Sequence, residues 1–147
     1  IDLQAAICLE QMKKLPKNLE WRRHVQKRYN EELGDVIQAP PHSETVQYYC
    51  AKVDPEVRDD LIDYLADKKI HTSVHFKPLH LYNVVKDMNQ RDYPVANVEW
   101  KKLISLPCHP GMNDEDIDYV VYWVLQYFKD NAPQPVEVEK PWWRFWE

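Results

Sequence analysis

Apolar side chains recur at helical spacing over the first 33 residues of the chain. The recurring positions are Leu3, Ile7, Met12, Leu15, Leu19, Val25, Tyr29 and Leu33. This period predicts an amphipathic helix over residues 1–33 whose apolar face packs in a core. Asp2 is expected to cap this helix and Gly34 to end it. Pro16 either kinks the helix or opens a second one as its first residue.

Further along, short runs of β-branched and aromatic residues alternate with helical patterns. Strands are predicted over 46–53, 70–76 and 103–107, and helices over 54–69, 95–101 and 113–129. Asp54 before a proline and Asn113 before three acidic residues are typical of helix starts. This order predicts an α+β (α/β-like) domain, in which a small few-stranded sheet has helices packed on one face.

Composition excludes several classes of function. The net charge is −5 and no basic stripe alternates with aromatics, which argues against nucleic-acid binding. No apolar run approaches the roughly 18 residues of a membrane span. Only two glycines are present, so a Gly-rich phosphate cradle cannot be built. The three cysteines are widely spaced and are predicted to be reduced, buried thiols in a cytoplasmic protein.

The two ends of the chain carry further expectations. The chain opens at Ile1 without a methionine and enters a helical pattern at once, which suggests one part of a larger protein. Residues 132–147 contain a linker with three prolines in 132–141, followed by an aromatic tail, so the domain is predicted over 1–131. The tail, with Trp142 at its start, either covers the domain's own apolar surface, docks a partner chain or anchors at a membrane interface.

The segment from His71 to His80 is the first candidate for chemistry. It follows a predicted helix, starts with β-branched residues and contains Pro78, which is expected to end the strand. Loops at strand ends commonly carry functional side chains. A metal site built from His71, His75 and His80 is a weaker hypothesis, because no carboxylate completes a ligand motif.

Several short motifs follow one another in the order found in a known enzyme family. They are Asp2-Leu3-Gln4-Ala5-Ala6-Ile7, Arg58-Asp59-Asp60-Leu61, Val74-His75-Phe76, Pro78-Leu79-His80, Pro94-Val95-Ala96, Ser105-Leu106-Pro107, His109-Pro110-Gly111 and Asp114-Glu115-Asp116-Ile117. Each is weak alone, but together they cover roughly residues 1–129. In this order the chain resembles the DegT/StrS aminotransferases, enzymes dependent on pyridoxal 5'-phosphate (PLP) that aminate keto-sugars attached to nucleotides.

The resemblance implies that this chain is the C-terminal small domain of a fold-type-I PLP enzyme, with 1–33 as the linking helix region. In such enzymes a large domain carries the Schiff-base lysine, the acid that pairs the pyridine nitrogen and most phosphate contacts. These groups are expected upstream of Ile1, so no catalytic residue is assigned here and the chain alone is expected to be inactive. Lys77 has no phosphate cradle or acidic partner at a recognisable spacing, so it is not assigned as the Schiff-base lysine.

By the same match, His75, Phe76 and His80 are expected to line the substrate pocket as the small domain closes over sugar-nucleotide and cofactor. Neutral imidazoles can donate to sugar hydroxyls or to a pyrophosphate, and Phe76 can pack on a ring. The alternative for each histidine is a hydrogen bond that stabilises a turn, which is the preferred interpretation of His109.

Three positions depart from the family pattern. Cys8 and Lys69 stand where the family often has glycine, and Asn97 stands where an acid usually follows Pro-Val-Ala. The expected partners are the large PLP-binding domain, a nucleotide-sugar substrate, an amino-acid donor and a second subunit. Within the same family, a dehydratase is an alternative to an aminotransferase.

A non-catalytic alternative is a stand-alone binding module that docks a partner through its aromatic tail.

Overall fold

The longest element is helix α1, Asp2–Leu33, whose second half carries part of the domain core. It belongs to a computed structural model that describes residues 1–41, 47–86 and 93–131. The predicted linker and aromatic tail at 132–147 lie outside the described residues. Among the described helices, none is both long enough and apolar enough to cross a membrane.

The ends and the middle of α1 differ in part from the prediction. Pro16 lies inside one continuous helix, because proline removes a single backbone donor and the remaining turns keep theirs. Ile1 is the N-cap, so the prediction that Asp2 caps the helix is wrong and Asp2 lies in the first turn. Gly34 follows the last turn as predicted. A Cβ there would come within 2.8 Å of the Asn30 carbonyl oxygen, so the close approach favours glycine.

The first half of α1 leaves apolar side chains in solvent. Leu3, Ile7 and Leu15, which we call the α1 stripe, are 75%, 53% and 50% exposed. Eighteen residues make about five helical turns, so the stripe lies on the same helix face as later positions that pack in the core. These later positions are Trp21, Val25 and Leu33. The prediction that this face is buried along the whole helix is therefore wrong for its first half.

Two short antiparallel strands form the sheet. Strand β1, Tyr49–Lys52, pairs with β2, Leu103–Leu106, so that Tyr49 lies opposite Leu106. The prediction of a strand at 103–107 is confirmed, and part of the strand predicted at 46–53 is present as β1. Gln38 extends the sheet by one pair with Lys52.

The prediction of a third strand over 70–76 is wrong. Only Ser73 pairs with the sheet, through backbone N–O distances of 3.2 and 2.7 Å to Ser105. The chain turns at His75 and Phe76, directly after this pair, and so leaves the edge of β2. The segment is extended where β-branched residues predict it, but it does not form a ladder.

Helix α2, Arg58–Asp67, begins later than the sequence predicts. The Asp54 carboxylate accepts from the Glu56 amide at 2.8 Å and so closes a turn ahead of the helix. The Asp54 carbonyl accepts from the Arg58 amide at 3.1 Å. Asp54 therefore initiates the segment without serving as the N-cap, which is Val57.

Lys69 ends α2 in a conformation that favours glycine. Its φ is +63°, in the left-handed region, where a Cβ meets the neighbouring carbonyl oxygen. The resemblance expects glycine at this position, and the structure supplies the reason. A non-glycine residue in this region costs about 1–2 kcal/mol.

Replacing Lys69 with glycine is expected to raise the free energy of unfolding by about 0.5–1 kcal/mol. Relief of the left-handed strain exceeds the entropy that glycine adds to the unfolded chain. Urea denaturation measures the change. Lys68→Gly is the matched control, because Lys68 has a φ of −84° and glycine there is expected to destabilise. Equal losses from both substitutions would contradict the prediction.

The C-terminal half forms largely as predicted. Helix α3 is Asn83–Lys86, and α4 is Pro94–Glu99, continued by a 3-10 turn over Trp100–Lys102. Helix α5, Asp114–Asp130, begins at a capping box. In this box Asn113 Oδ1 accepts from the Asp116 amide at 2.8 Å, and Asp116 accepts from the Asn113 amide at 2.9 Å.

The core lies where α1, α2 and α5 meet the sheet. Helix α5 packs against α1 and α2, and α2 also contacts β2. The largest fully buried side chains are Tyr29, Tyr49, Leu33, Leu61, Leu65, Ile104, Ile117, Val25 and Val124. The predicted α+β class, a small sheet with packed helices, is confirmed.

The three cysteines are unpaired but differ in environment. Cys108 is buried, Cys50 is partly buried and Cys8 is exposed on α1, so the prediction of three buried thiols is wrong for Cys8. Cys8 belongs to the half of α1 that extends beyond the core. Burial raises the pKa of the Cys108 thiol to about 11, so this thiol stays protonated near neutral pH.

Candidate functional site

The candidate site is built on residues 71–82, which we call the histidine loop. The Ser73–Ser105 pair fixes its first part to β2. Pro78, with a φ of −58°, precedes a 3-10 turn over Leu79–Leu81. Backbone hydrogen bonds therefore attach the first part of the loop to β2, and the 3-10 turn orders its second part.

His75 is held by two contacts from the sheet region. Its Nδ1 lies 2.8 Å from Oγ of Ser105, and the two atoms share a hydrogen bond. Ser105 is buried. Its ring stacks on Tyr48, with centroids 4.1 Å apart and planes inclined by 21°. Since Nδ1 is occupied, Nε2 is the nitrogen left for another partner.

Phe76 is the most exposed aromatic residue of the loop, at 69%. Its ring meets His75 edge to face, with the centroids 4.7 Å apart. A large exposed apolar ring beside an ordered imidazole offers a surface on which another ring can pack.

His80 is held from helix α4. Its Nε2 lies 2.6 Å from Asn97 Oδ1, and its ring lies 4.8 Å from that of Tyr93. An amide oxygen only accepts hydrogen bonds, so Nε2 is the donor and Nδ1 is left for another partner. Asn97, which departs from the family pattern, is thus the residue that orients His80.

Two cations lie over the ring of Trp100 beside this loop and three more charged residues pair at its neighbour Glu99, and we call the whole group the Trp100 cluster. Its members besides Trp100 are Lys52, Arg58, Lys77, Glu99 and Lys102. The Glu99 carboxylate accepts from Lys52 at 2.5 Å and from Lys102 at 3.0 Å. Burial opposes ionisation of Glu99, but these two hydrogen bonds outweigh it and hold the pKa of its carboxyl below the usual range.

The other predicted histidines lie apart from this arrangement. His71 is exposed, and His109 Nδ1 accepts from the Gly111 amide at 3.2 Å, which is a turn contact. Within residues 1–41, 47–86 and 93–131, no three His, Cys, Asp or Glu side chains form a group that suits a metal ion. The weaker hypothesis of a metal site from His71, His75 and His80 therefore has no support in these residues.

Sequence reasoning missed the residues that orient the histidines. Ser105 is 30 positions from His75, and Asn97 is 17 positions from His80. Tyr48 and Trp100 were likewise not singled out. No periodicity or local motif marks these pairings, because tertiary packing creates them.

A model of the DegT/DnrJ/EryC1/StrS aminotransferase family matches residues 1–125. The chain belongs to this family. The resemblance drawn from its short motifs is confirmed.

Two curated relatives are similar over most of the chain. The spore coat polysaccharide biosynthesis protein SpsC of Bacillus subtilis (strain 168) is 31% identical over 87% of this chain and 36% of its own length. The dTDP-4-dehydro-2,3,6-trideoxy-D-glucose 4-aminotransferase of Saccharopolyspora spinosa is 28% identical over 79% of this chain and 31% of its own length. The chain thus spans about a third of the length of each.

Solved structures give the same result. The aminotransferase TlmJ from Streptoalloteichus hindustanus superimposes with a TM-score of 0.82 at 26% identity, covering 90% of this chain and 37% of that one. NtdA from Bacillus subtilis with bound cofactor PMP gives a TM-score of 0.76 at 27% identity, covering 86% and 32%. The predicted identity as the C-terminal small domain of a fold-type-I aminotransferase is confirmed.

Proposed function

We propose that this chain is the part of a PLP-dependent aminotransferase that closes over the active site and binds a nucleotide-linked keto-sugar. The observation that carries the proposal is the pair of oriented imidazoles in the histidine loop. His75 and His80 are each fixed through one ring nitrogen, which leaves the other nitrogen for a ligand. Fixed donors and acceptors of this kind suit sugar hydroxyls, and Phe76 between them suits the face of a ring.

The cofactor is assigned to a domain outside this chain. Gly34 lies against the Asn30 carbonyl and Gly111 lies beside His109, so neither opens an amide cradle for a phosphate. Lys77 lies over the rings of Tyr82 and Trp100. It makes no ion pair with a carboxylate of the described residues. The described glycines and Lys77 do not fit PLP, and no chemical step through the cofactor is derived from them. The residues that hold PLP and its Schiff-base lysine are expected in the large domain, whether on the same or a separate polypeptide.

The surface for that large domain is the exposed half of α1. The α1 stripe continues directly into a groove of about 490 Å³ between α1 and the start of α5. Residues that line the groove include Lys17, Trp21, His24, Pro110 and Met112. Exposed apolar positions on the same helix face as buried core positions are typical of a covered interface. The PLP-binding domain is proposed to cover both the stripe and the groove.

The remaining parts of the proposal follow from the family. An amino acid would supply the amino group, and two subunits would form the complete enzyme in the cytoplasm. The Saccharopolyspora spinosa relative is named for an aminotransferase acting on a dTDP-linked sugar. This name supports a nucleotide-sugar substrate here, and it favours amino transfer over the dehydratase sibling.

The test is amino transfer by the polypeptide that contains this chain together with its PLP-binding domain. Its coding sequence upstream of Ile1 is expected to contain that domain with a cofactor lysine. His80→Ala is expected to lower kcat/KM for a dTDP- or UDP-linked 4-keto-sugar by about 10–100-fold, because a polar contact to the substrate is lost.

His71→Ala is the matched control, because His71 lies in the same loop and is exposed. Its kcat/KM is expected to stay within about twofold of the parent. The proposal fails if no amino transfer is observed with the cofactor bound. It also fails if His80→Ala and His71→Ala have the same activity as the parent protein.

A further inference from the structure

We infer that the aromatic tail, residues 142–147, folds back along α5 and docks on a group of aromatic side chains where α5 meets α2. We call this group the α5 aromatic patch, and its members are Tyr64, Tyr119, Tyr122 and Trp123. The rings that the tail brings are those of Trp142, Trp143, Phe145 and Trp146. The patch shares no residue with the histidine loop, so the inference does not depend on the proposed function.

Trp123 is the centre of the patch. Its ring centroid lies 5.0 Å from that of Tyr122 and 6.1 Å from those of Tyr64 and Tyr119, with interplanar angles between 64° and 80°. Lys68 Nζ lies 4.4 Å from the Trp123 centroid, a cation–π contact that helps to fix the ring. The Tyr119 hydroxyl donates to the Lys68 carbonyl at 3.1 Å. The rings of the patch are therefore ordered by contacts within the domain.

The patch lies on a face of α5 that the core does not use. Tyr119, Tyr122 and Trp123 are spaced i, i+3 and i+4, which places them on one side of the helix. The core positions Val120 and Val124 lie on another side. Tyr119 is 47% exposed and Tyr122 is 56% exposed, whereas Trp123 is partly buried against the core. Clustered Tyr and Trp rings with open faces are typical of surfaces on which another protein segment packs.

The linker is long enough to bring the tail to this surface. At 1.5 Å per residue, Tyr119 lies about 18 Å back along the helix axis from Asn131, the C-cap of α5. Residues 132–141 span about 31 Å in the extended polyproline form that their three prolines favour. The linker can therefore reverse at the end of α5 and still place Trp142 beside the patch.

The α1 stripe is an exposed apolar surface that the same linker does not reach. His24 contacts Asp114, and the next contact lies four residues further along each helix, so α1 and α5 run side by side in the same direction. The stripe therefore extends past the start of α5, and Leu15 lies about 39 Å from the end of α5 along the helix axes. This distance exceeds the length of about 31 Å that the extended linker spans.

The size of the patch favours a tethered segment over a second copy of the chain. A standard interface takes about 20–30 residues from each partner, whereas the patch offers four side chains, of which Tyr64 and Trp123 are partly buried. A short linker gives its tail an effective concentration in the millimolar range, so a small contact surface is enough to hold it. The rings of the tail can extend the cluster through further edge-to-face contacts.

The experiment measures 15N relaxation and NOEs of the full chain, residues 1–147, by NMR. A docked tail is expected to give order parameters of about 0.85 at Trp142 and Trp146 and NOEs between their rings and that of Tyr122. Tyr122→Glu places a carboxylate in the patch and is expected to lower these order parameters below about 0.6. The double substitution Trp142→Ala and Trp146→Ala tests the contact from the tail. It is expected to shift the indole signal of Trp123 and to leave that of Trp21, in the groove beside α1, unchanged.

Ile7→Glu is the matched control, because Ile7 is 53% exposed and belongs to the α1 stripe. The tail is expected to keep its order parameters in this variant. If Ile7→Glu releases the tail, or if Tyr122→Glu does not, the inference fails. Order parameters below about 0.6 in the parent chain would also overturn it, since the tail would then be free for a partner protein or a membrane surface. NOEs that disappear on dilution would overturn it in favour of a second copy of the chain.

Discussion

Replacing Tyr29 with alanine is expected to lower the free energy of unfolding by about 3–5 kcal/mol, a large share of the stability of a domain this size. Tyr29 is fully buried in the second half of α1. Its ring meets Tyr49 edge to face with centroids 4.9 Å apart, and its hydroxyl donates to the Pro107 carbonyl at 2.9 Å. The substitution removes the ring, creates a cavity in the core and leaves the Pro107 carbonyl without its hydrogen-bond donor.

Two further variants divide this loss into its parts. Tyr29→Phe keeps the ring and removes the hydroxyl, so it is expected to cost about 1–2 kcal/mol. Tyr122→Ala, on the exposed face of α5, is expected to cost less than about 1 kcal/mol. Urea denaturation gives all three values. If Tyr29→Ala cost no more than Tyr122→Ala, the second half of α1 would not form the core described above.

Burial also sets the ionisation of this tyrosine pair. Desolvation raises the pKa of Tyr29 and of Tyr49 well above the usual value for tyrosine. Both hydroxyls therefore stay protonated at neutral pH, and each can donate, Tyr29 to Pro107 and Tyr49 to the side chain of Asn30 at 2.9 Å. This pair links α1 to the sheet and to the segment that follows β2.

Elements specified by neighbouring residues were predictable from the sequence. The capping box of α5 is an example, because Asn113 and Asp116 bond each other's backbone amides within one turn. The end of α2 is another, since the helix predicted over 54–69 ends at Asp67 with Lys68 as its C-cap. The segment over 70–76 was not predictable in the same way. Its β-branched residues favour extended backbone, but ladder formation depends on how long the chain stays beside β2.

The candidate site, too, was predictable only where local sequence specifies it. The sequence marks His75 and His80 because they lie in a proline-fixed loop of a recognisable motif. It does not mark Ser105 or Asn97 as their partners, because those contacts join elements far apart in the chain. The composition does not reveal the Trp100 cluster either, because its residues come from different parts of the chain. Its charged residues come close together only when α2, the sheet and the histidine loop pack against one another.

The α1 stripe is another place where the sequence pattern and the described fold conflict. Its apolar period continues that of the buried residues, yet the three side chains are exposed. Fully burying a leucine or isoleucine side chain contributes about 1.5–3 kcal/mol. Ile7 and Leu15 are about half exposed, so a partner that covers both gains about 1.5–3 kcal/mol in total. Apolar positions that repeat those of the core, although Gln11, Lys14 and Asn18 interrupt them, are therefore better explained by a covered face than by a solvated one. The match to about a third of each relative's length agrees with a further domain there.

The double substitution Ile7→Asp and Leu15→Asp is accordingly expected to abolish amino transfer by the complete enzyme. Two charges buried against the PLP-binding domain would separate the domains, and retention of PLP, read from its absorbance, would fall with the activity. The same substitutions in this chain alone are expected to change its unfolding free energy by less than about 1 kcal/mol, because both side chains are already exposed.

Leu9→Asp provides the matched control for this stripe. Leu9 is also exposed, but at 100° per residue it lies on nearly the opposite side of α1 from Ile7. The enzyme with Leu9→Asp is expected to keep its PLP and most of its activity, since a charge on that side meets water in both states. If Leu9→Asp were as damaging as the stripe substitutions, helix disruption would explain the loss. If neither affected activity, the stripe would not be the surface that the PLP-binding domain covers.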